Sequence, residues 1–363
     1  MTARVRRAVA SAVAVASLVA LAACGSGGSG TGATAGAGAA LVMVGAQAGY
    51  AVLPSGARWI VIGTTDGWRT VTNATPTSVP TDGGLVLSAT GTRVAVGVLP
   101  HEQLTVSPVL VSHDGAGTWA PTQLPGGLLA APGALATSRD ALWAIVTGGG
   151  GRLVTAASTA GPWREVGSAT TVQPPGTVTF TGVGFPDGRT GFVTATGPAD
   201  GLLLLSGSGG RPWQPVALPV TATGSATALT PCRVGADWLV PVVSDGRLVV
   251  YRSRALDGPW QVGSAVAVAA APVVGCGRTA VWVVSEGGSS DRLLLSDGTG
   301  AWSDQGDLPA GVTSLSVADD DTAFATAGGA ARLLRIQLGQ PLATTWIPLP
   351  AWVATVGGGA MRN

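Results

Sequence analysis

The chain contains no lysine, and its 20 basic residues are all arginine, scattered singly against 19 acids. Only 11% of its 363 residues are charged. No basic stripe forms, so the electrostatic footprint of nucleic-acid binding is missing. Histidine occurs twice, at His101 and His113, and cysteine three times. Two distant histidines and the cysteines left after processing fall short of a zinc ligand set. Helical periodicity is also absent after residue 24. The 56 glycines and 24 prolines oppose long helices, because each destabilises a helix and marks a turn. What remains is runs of four to eight Val, Leu, Ala, Thr and Trp, broken by Gly, Pro, Asp or Ser. That pattern implies an all-β protein.

The N-terminus is built differently. MTARVRR is a positive segment, and AVASAVAVASLVALAA is an apolar stretch too short for a good permanent membrane span. It ends in Leu21-Ala22-Ala23-Cys24, which resembles the lipobox of bacterial lipoprotein signals at all four positions. The resemblance implies cleavage before Cys24 and a diacylglycerol on its sulfur, anchoring the chain to the extracytoplasmic membrane face. Arg6-Arg7 hints at twin-arginine export, but the following residues fit that signal poorly. Residues 1–23 are thus expected to be a signal peptide. Residues 24–40, rich in Gly, Ser and Ala, are expected to be a flexible tether with a reach of roughly 20–24 Å. Two acyl chains make a stable anchor. Removing Arg4, Arg6 and Arg7 leaves 17 Arg against 19 acids.

The rest of the chain repeats itself. Trp68, Trp119, Trp163, Trp213, Trp260, Trp302 and Trp346 follow one another at intervals of 42 to 51 residues. A second aromatic usually precedes each of them, as Tyr50, Trp143, Phe192, Trp238, Trp282 and Phe324. Val94 or Val96 holds that place in the second unit. Each unit reads as strand, turn, strand, loop, strand, glycine turn, Trp, strand. Four short strands in each repeat of about 45 residues imply a β-propeller. Seven units give a seven-bladed propeller over residues 41–350, with six or eight blades as the alternative. Residues 351–363 are a tail or an extra edge strand. The recurring tryptophans are expected to fill the space between blades.

Ser112, Asp114, Thr118 and Trp119 match the Ser-x-Asp-x-Gly-x-Thr-Trp Asp-box, or BNR repeat, with Ala116 where Gly is expected. Ser206, Gly210 and Trp213 keep part of it, with Ser208 for Asp. Ser253 and Trp260 do the same, with Ala255 for Asp, as do Asp297 and Trp302, with Leu295 for Ser. The chain therefore resembles sialidase-like propellers. It looks most like their non-enzymatic members, such as the photosystem II assembly factor. An Asp in such a turn accepts backbone N–H bonds, and it varies between units, so Asp114 is read as turn chemistry. The resemblance places these turns opposite the ligand pocket.

Sialidase chemistry needs three converging arginines, a Tyr with a Glu partner, and an acidic Asp. Tyrosine occurs only at Tyr50 and Tyr251, and glutamate only at Glu102, Glu165 and Glu286. Tyr50 holds the repeating core position, and the first strand lacks the family's Arg. No catalytic residue is assigned. Gly148 to Gly151 before Arg152 lacks a phosphate loop's Gly-Lys-Ser/Thr ending. No cofactor and no metal are implied, and Asp319-Asp320-Asp321 reads as a solvated turn. Cys232 and Cys276 stand at one register in neighbouring units, six residues before Trp238 and Trp282. They are expected to form a disulfide, which the extracytoplasmic compartment permits. The ligand-facing loops are expected to carry His101, Glu102, Asp200, Asp245, Arg247, Glu286 and Asp291. The expected function is a non-catalytic, membrane-anchored platform for a protein or glycan, with a degenerate exo-glycosidase as the rival.

Overall fold

The computed structural model describes residues 30–35, 40–71, 73–80, 85–98, 108–125, 132–138, 141–146, 151–157, 162–168, 178–185, 190–198, 203–208, 213–221, 224–269, 272–327, 332–351 and 353. These are strands joined by turns, and the strands form four-stranded antiparallel units in chain order. An N-terminal strand, β1 (Gly30–Ala35), comes first. The first unit is β2 (Ala40–Met43), β3 (Gly49–Ser55), β4 (Arg58–Thr64) and β5 (Asn73–Pro80). Next come β6 (Leu85–Thr90), β7 (Arg93–Val98), β8 (Pro108–Ser112) and β9 (Ala120–Gln123). A third unit holds β10 (Pro132–Thr137), β11 (Leu142–Val146), β12 (Arg152–Ala156) and β13 (Arg164–Ser168). It is followed by β14 (Thr179–Phe185), β15 (Thr190–Pro198), β16 (Leu203–Ser208) and β17 (Gln214–Ala217).

In the following unit the first strand is split into β18 (Ser225–Ala228) and β19 (Cys232–Val234), ahead of β20 (Asp237–Ser244), β21 (Arg247–Ser253) and β22 (Gln261–Ala267). Then come β23 (Val273–Cys276), β24 (Val281–Glu286), β25 (Ser290–Ser296) and β26 (Ser303–Pro309). The last unit is β27 (Val312–Val317), β28 (Thr322–Ala327), β29 (Leu333–Gln337) and β30 (Ala343–Ile347). Some units stand as separate sheets, while bridges such as β15 to β18 merge others into one larger sheet.

Burial explains why the strands read as unbroken apolar runs. Every residue of β2 and β28 is buried, because a neighbouring unit covers each face of these sheets. Fourth strands such as β9, β22 and β30 are mostly exposed. Each core cluster draws on two consecutive units: Tyr50, Val52 and Trp59 pack against Leu85, Leu87 and Val96, and Trp282 packs with Leu315 and Leu334. One cluster joins the two ends of the chain. Leu41, Met43 and Ile62 of the first unit share a core with Phe324 and Leu333 of the last. The Met43 N–H donates to Ser316 Oγ at 2.8 Å across that seam.

One expectation for the termini needs correction. Residues 30–35 are not a free tether, because β1 pairs antiparallel with β14 and with β6. The physical reason is that first strands leave backbone groups unpaired toward the middle of the ring, and an extended segment satisfies them. The C-terminal tail adds no edge strand at Ala351 or Val353. Val353 is buried in the cluster that joins first and last units, and its carbonyl accepts the Ser55 hydroxyl. Residues 1–23, Cys24, and 354–363 lie outside the described residues.

Candidate functional site

Among the described residues, third strands lead into fourth strands through glycine turns, and two of these turns match almost atom for atom. After β8, the Ser112 hydroxyl donates to Asp114 Oδ1 (2.8 Å) and accepts the Ala116 N–H (2.8 Å). Asp114 Oδ1 also accepts the Thr118 N–H (2.8 Å), and Oδ2 accepts the Thr118 hydroxyl (2.7 Å). After β4, Thr64, Asp66, Trp68 and Thr70 do the same. Thr64 Oγ1 donates to Asp66 Oδ1 (2.9 Å) and accepts the Trp68 N–H (3.0 Å). The Thr70 N–H and hydroxyl reach Asp66 Oδ1 and Oδ2 at 2.9 and 2.6 Å. Ala116 and Trp68 both adopt positive φ, at 70° and 64°, each after a positive-φ glycine.

This correspondence corrects one reading. Trp68 is not the counterpart of Trp119; it takes the place of Ala116. Its indole is buried against the last unit, and Nε1–H donates to Met43 Sδ at 3.2 Å. Sequence reasoning aligned tryptophans and so missed Asp66. The spacing Thr64-x-Asp66-Gly67-x-x-Thr70 was the available signal.

A third acidic turn follows β25 on a shorter spacing. Ser296, rather than position 295, supplies the hydroxyl, accepting the Gly298 N–H at 3.1 Å. Asp297 accepts the Thr299 N–H and hydroxyl at 2.8 and 2.7 Å.

The bonds from Thr70, side chain then backbone, hold the Asp66 carboxyl down at about 2. The Asp114 carboxyl lies well below its ordinary range, chiefly through the Thr118 N–H. Asp297 is lowered mainly by the Thr299 N–H. Burial pushes both tyrosines up, and the Asp114 charge adds to the effect at Tyr50. Tyr50 Oη donates to the Gly91 carbonyl at 3.2 Å, which fits a core role.

Several tryptophans seal junctions with the preceding unit. Trp163 Nε1–H donates to Thr122 Oγ1 (3.1 Å), and Trp302 Nε1–H to the Ser264 carbonyl (3.0 Å). Trp213 meets Trp143 and Phe185 at ring separations of 5.4 and 6.0 Å. Trp119 and Trp260 pack similarly, with indole N–H groups buried and unpaired among the described residues. Trp346 breaks the pattern. It is 40% exposed and lies under the Arg332 guanidinium instead of filling a junction. Leu342 lies at the corresponding junction.

Cys232 and Cys276 are bonded through sulfur, with Cα atoms 5.2 Å apart. The bond ties β19 to β23 across two units. Beside it, Asp237 accepts Arg252 Nε at 2.9 Å, and Arg233 lies over the Trp238 ring at 5.3 Å.

The expected ligand face is less uniform than the sequence implies. Asp245 and Gly246 form the two-residue hairpin between β20 and β21, both with positive φ. Such a hairpin favours Asp-Gly, so Asp245 is first a turn residue. Arg247 beside it is exposed, as is Glu286. Asp291, the cross-strand partner of Glu286, is a correction: it is 3% exposed and unavailable to a large ligand. Its Oδ2 accepts the Val312 N–H at 2.8 Å, fastening the last unit to its neighbour, and its Oδ1 is unpaired among the described residues. His101, Glu102 and Asp200 lie outside the described residues.

Two clefts open instead on the face of the acidic turns. One of about 390 Å³ is lined by Asp237, Arg252, Arg254, Ala255, Pro259 and Gln261. A smaller one, about 130 Å³, lies where last and first units meet, between Gln47, Asp66, Arg69, Asp319 and Arg335. Among the described residues, no three His, Cys, Asp or Glu side chains group as metal ligands.

The sequence matches no family model and no curated protein. Solved structures do match. A structure of YCF48 bound to D1 peptide superimposes with a TM-score of 0.54 at 14% identity, over 89% of this chain and 95% of that one. The Cps50 (Swd1) β-propeller domain of Myceliophteria thermophila gives 0.55 at 10% identity, over 87% and 99%. A streptogramin B lyase gives 0.50 at 16% identity, over 70% and 80%. At these identities the likeness shows the fold alone: the chain is a β-propeller.

Proposed function

We propose that this chain is a seven-bladed propeller with Asp-box turns, held to a membrane through a lipid on Cys24. Its role is to bind a protein partner without catalysis. The blade count rests on the four-stranded units of the fold and on the core cluster that joins first unit to last. The observation that carries the non-catalytic reading is how the recurring acids are used. Asp66 and Asp114 each use both carboxylate oxygens to accept bonds within their own turn, the role of a structural acid. Rigid junctions, a covalent tie and short exposed edges suit a docking platform. A propeller of similar fold binding a peptide supports a protein partner over a glycan.

Cross-linking in cells followed by mass spectrometry tests the platform and is expected to recover a specific envelope protein. A panel of fluorogenic glycosides tests the rival: turnover of any of them would establish a degenerate exo-glycosidase. Replacing Cys24 with Ser is expected to move the protein from the membrane fraction to the soluble fraction, and continued membrane retention would remove the lipid from the reading.

A further inference from the structure

The strand β1 runs antiparallel to two first strands from different units. Gly30 and Thr31 pair with Phe185 and Gly184 at the end of β14. Gly32 to Ala35 pair with Ser88 back to Leu85 at the start of β6. It also lies against β2, β10 and β27. These are first strands of their units, which surround the middle of the ring. A segment touching five of them crosses the central channel. Its sequence is GTGATA.

The register also fixes direction. First strands run toward the face of the acidic turns, since β14 ends at Phe185 and leads into the turn before β15. Gly30 lies at that end, and Ala35 at the opposite one, beside the start of β6. The chain therefore enters on the acidic-turn face, crosses the ring, and reverses into β2.

We propose that the central channel is a strand-docking site, filled in cis by this chain's own residues Gly30 to Ala35. The docked arm leaves the ring on the face that carries Asp66 and Asp114. The channel's unpaired backbone groups would otherwise accept an extended peptide by strand addition. The arm thus occupies the site a partner strand would use. One consequence rests on the lipid reading of Cys24. Five residues lie between Cys24 and Gly30, so the two are at most about 22 Å apart. The acidic-turn face would then lie against the membrane and the opposite face would point away.

The test uses the chain from residue 24 onward with Cys24→Ser, so that it does not depend on the lipid. Amide exchange is measured on it and on a Gly32→Pro/Ala33→Pro variant, which removes ladder N–H groups at both strand parities. In the parent, the alternate amides among residues 32–35 that face β6 are expected to exchange at least tenfold more slowly than in an unstructured peptide of the same sequence. In the variant, the two alternate amides of Leu85–Ser88 that face β1 are expected to exchange at least tenfold faster, with those that face β7 and those of β25 unchanged. Exchange of residues 32–35 at the peptide rate, or Leu85–Ser88 amides indifferent to the prolines, would overturn the docking. A spin label at position 28 tests the exit face. It is expected to lie closer to a label at exposed position 254 than to one at exposed position 247, and the reverse order would overturn the threading direction.

Discussion

The turn after β8 and the turn after β21 occupy the same place in their units, yet they are held in different ways. In the first, Asp114 gathers the Thr118 N–H and hydroxyl while Ser112 holds the Ala116 N–H. In the second, Ala255 stands where the acid is expected. Its N–H donates to Ser253 Oγ at 3.3 Å, as the Asp114 N–H does to Ser112 Oγ at 3.4 Å, and the Gly258 N–H donates to the Ala255 carbonyl at 3.1 Å. The large cleft opens directly beneath it. Close by, the Cys232–Cys276 bond joins that unit to the next. One region is held by a carboxylate inside a turn, and the other by a covalent bond between units. The comparison teaches that such a turn can close without the acid, through hydroxyl and backbone bonds alone.

The covalent restraint is the place to break this comparison with the largest effect. Replacing both Cys232 and Cys276 with Ser removes a cross-link with a sequence separation of 44. The chain-entropy model puts the loss at about 4 kcal/mol, measurable by denaturant unfolding. An unchanged midpoint would show that the acid-free unit needs no such tie. A smaller effect is expected from Asp114→Asn, read as a lower Tm, because the amide keeps one acceptor oxygen and loses the charge.

Acid should separate the two regions. Asp66 titrates at about 2 when folded, against 3.8 for a free carboxyl. A folded pKa below the unfolded one means stability that is present above pH 4 and lost as pH falls toward 2. Asp114 is depressed in the same direction, so it adds to the same loss at still lower pH. The Asp66→Asn/Asp114→Asn variant is therefore expected to lose less stability than the parent between pH 4 and 2. Equal slopes would mean that these turns are not what acid attacks. The smallest effect is expected from Ala255→Asp. Four residues on stands Pro259, which has no N–H, so a restored carboxylate lacks the partner that Thr118 gives Asp114. Little or no gain in Tm follows, and a clear rise would show that the acid alone carries the turn.

Strand order and the four-strand period were legible because apolar runs and turn residues alternate throughout the chain. A sheet covered on both faces has no polar side to blur its runs. Trp119, Trp163, Trp213, Trp260 and Trp302 could be aligned because each stands at the start of a fourth strand, against the preceding unit. Trp68 and Trp346 share that composition without that placement, since indole burial depends on the neighbouring unit, which sequence spacing does not describe. The Asp66 turn was hidden because Thr replaces Ser and Trp replaces Ala inside it. Asp291 was taken for a surface acid because nothing local marks it as buried. Its partner, Val312, belongs to the next unit. The docking of β1 was invisible for a related reason: Gly, Thr and Ala form a strand there because unpaired edges wait for them, not by propensity.

The shared core of first and last units has a kinetic consequence. Met43 finds Ser316 only after almost the whole chain exists. Until then one apolar face of the earliest sheet stays bare, and seam contacts of such long sequence separation form slowly. Nascent copies thus carry a sticky surface that persists until synthesis is nearly finished, so a chaperone that shields half-built rings would raise the yield more than one that speeds any single hairpin.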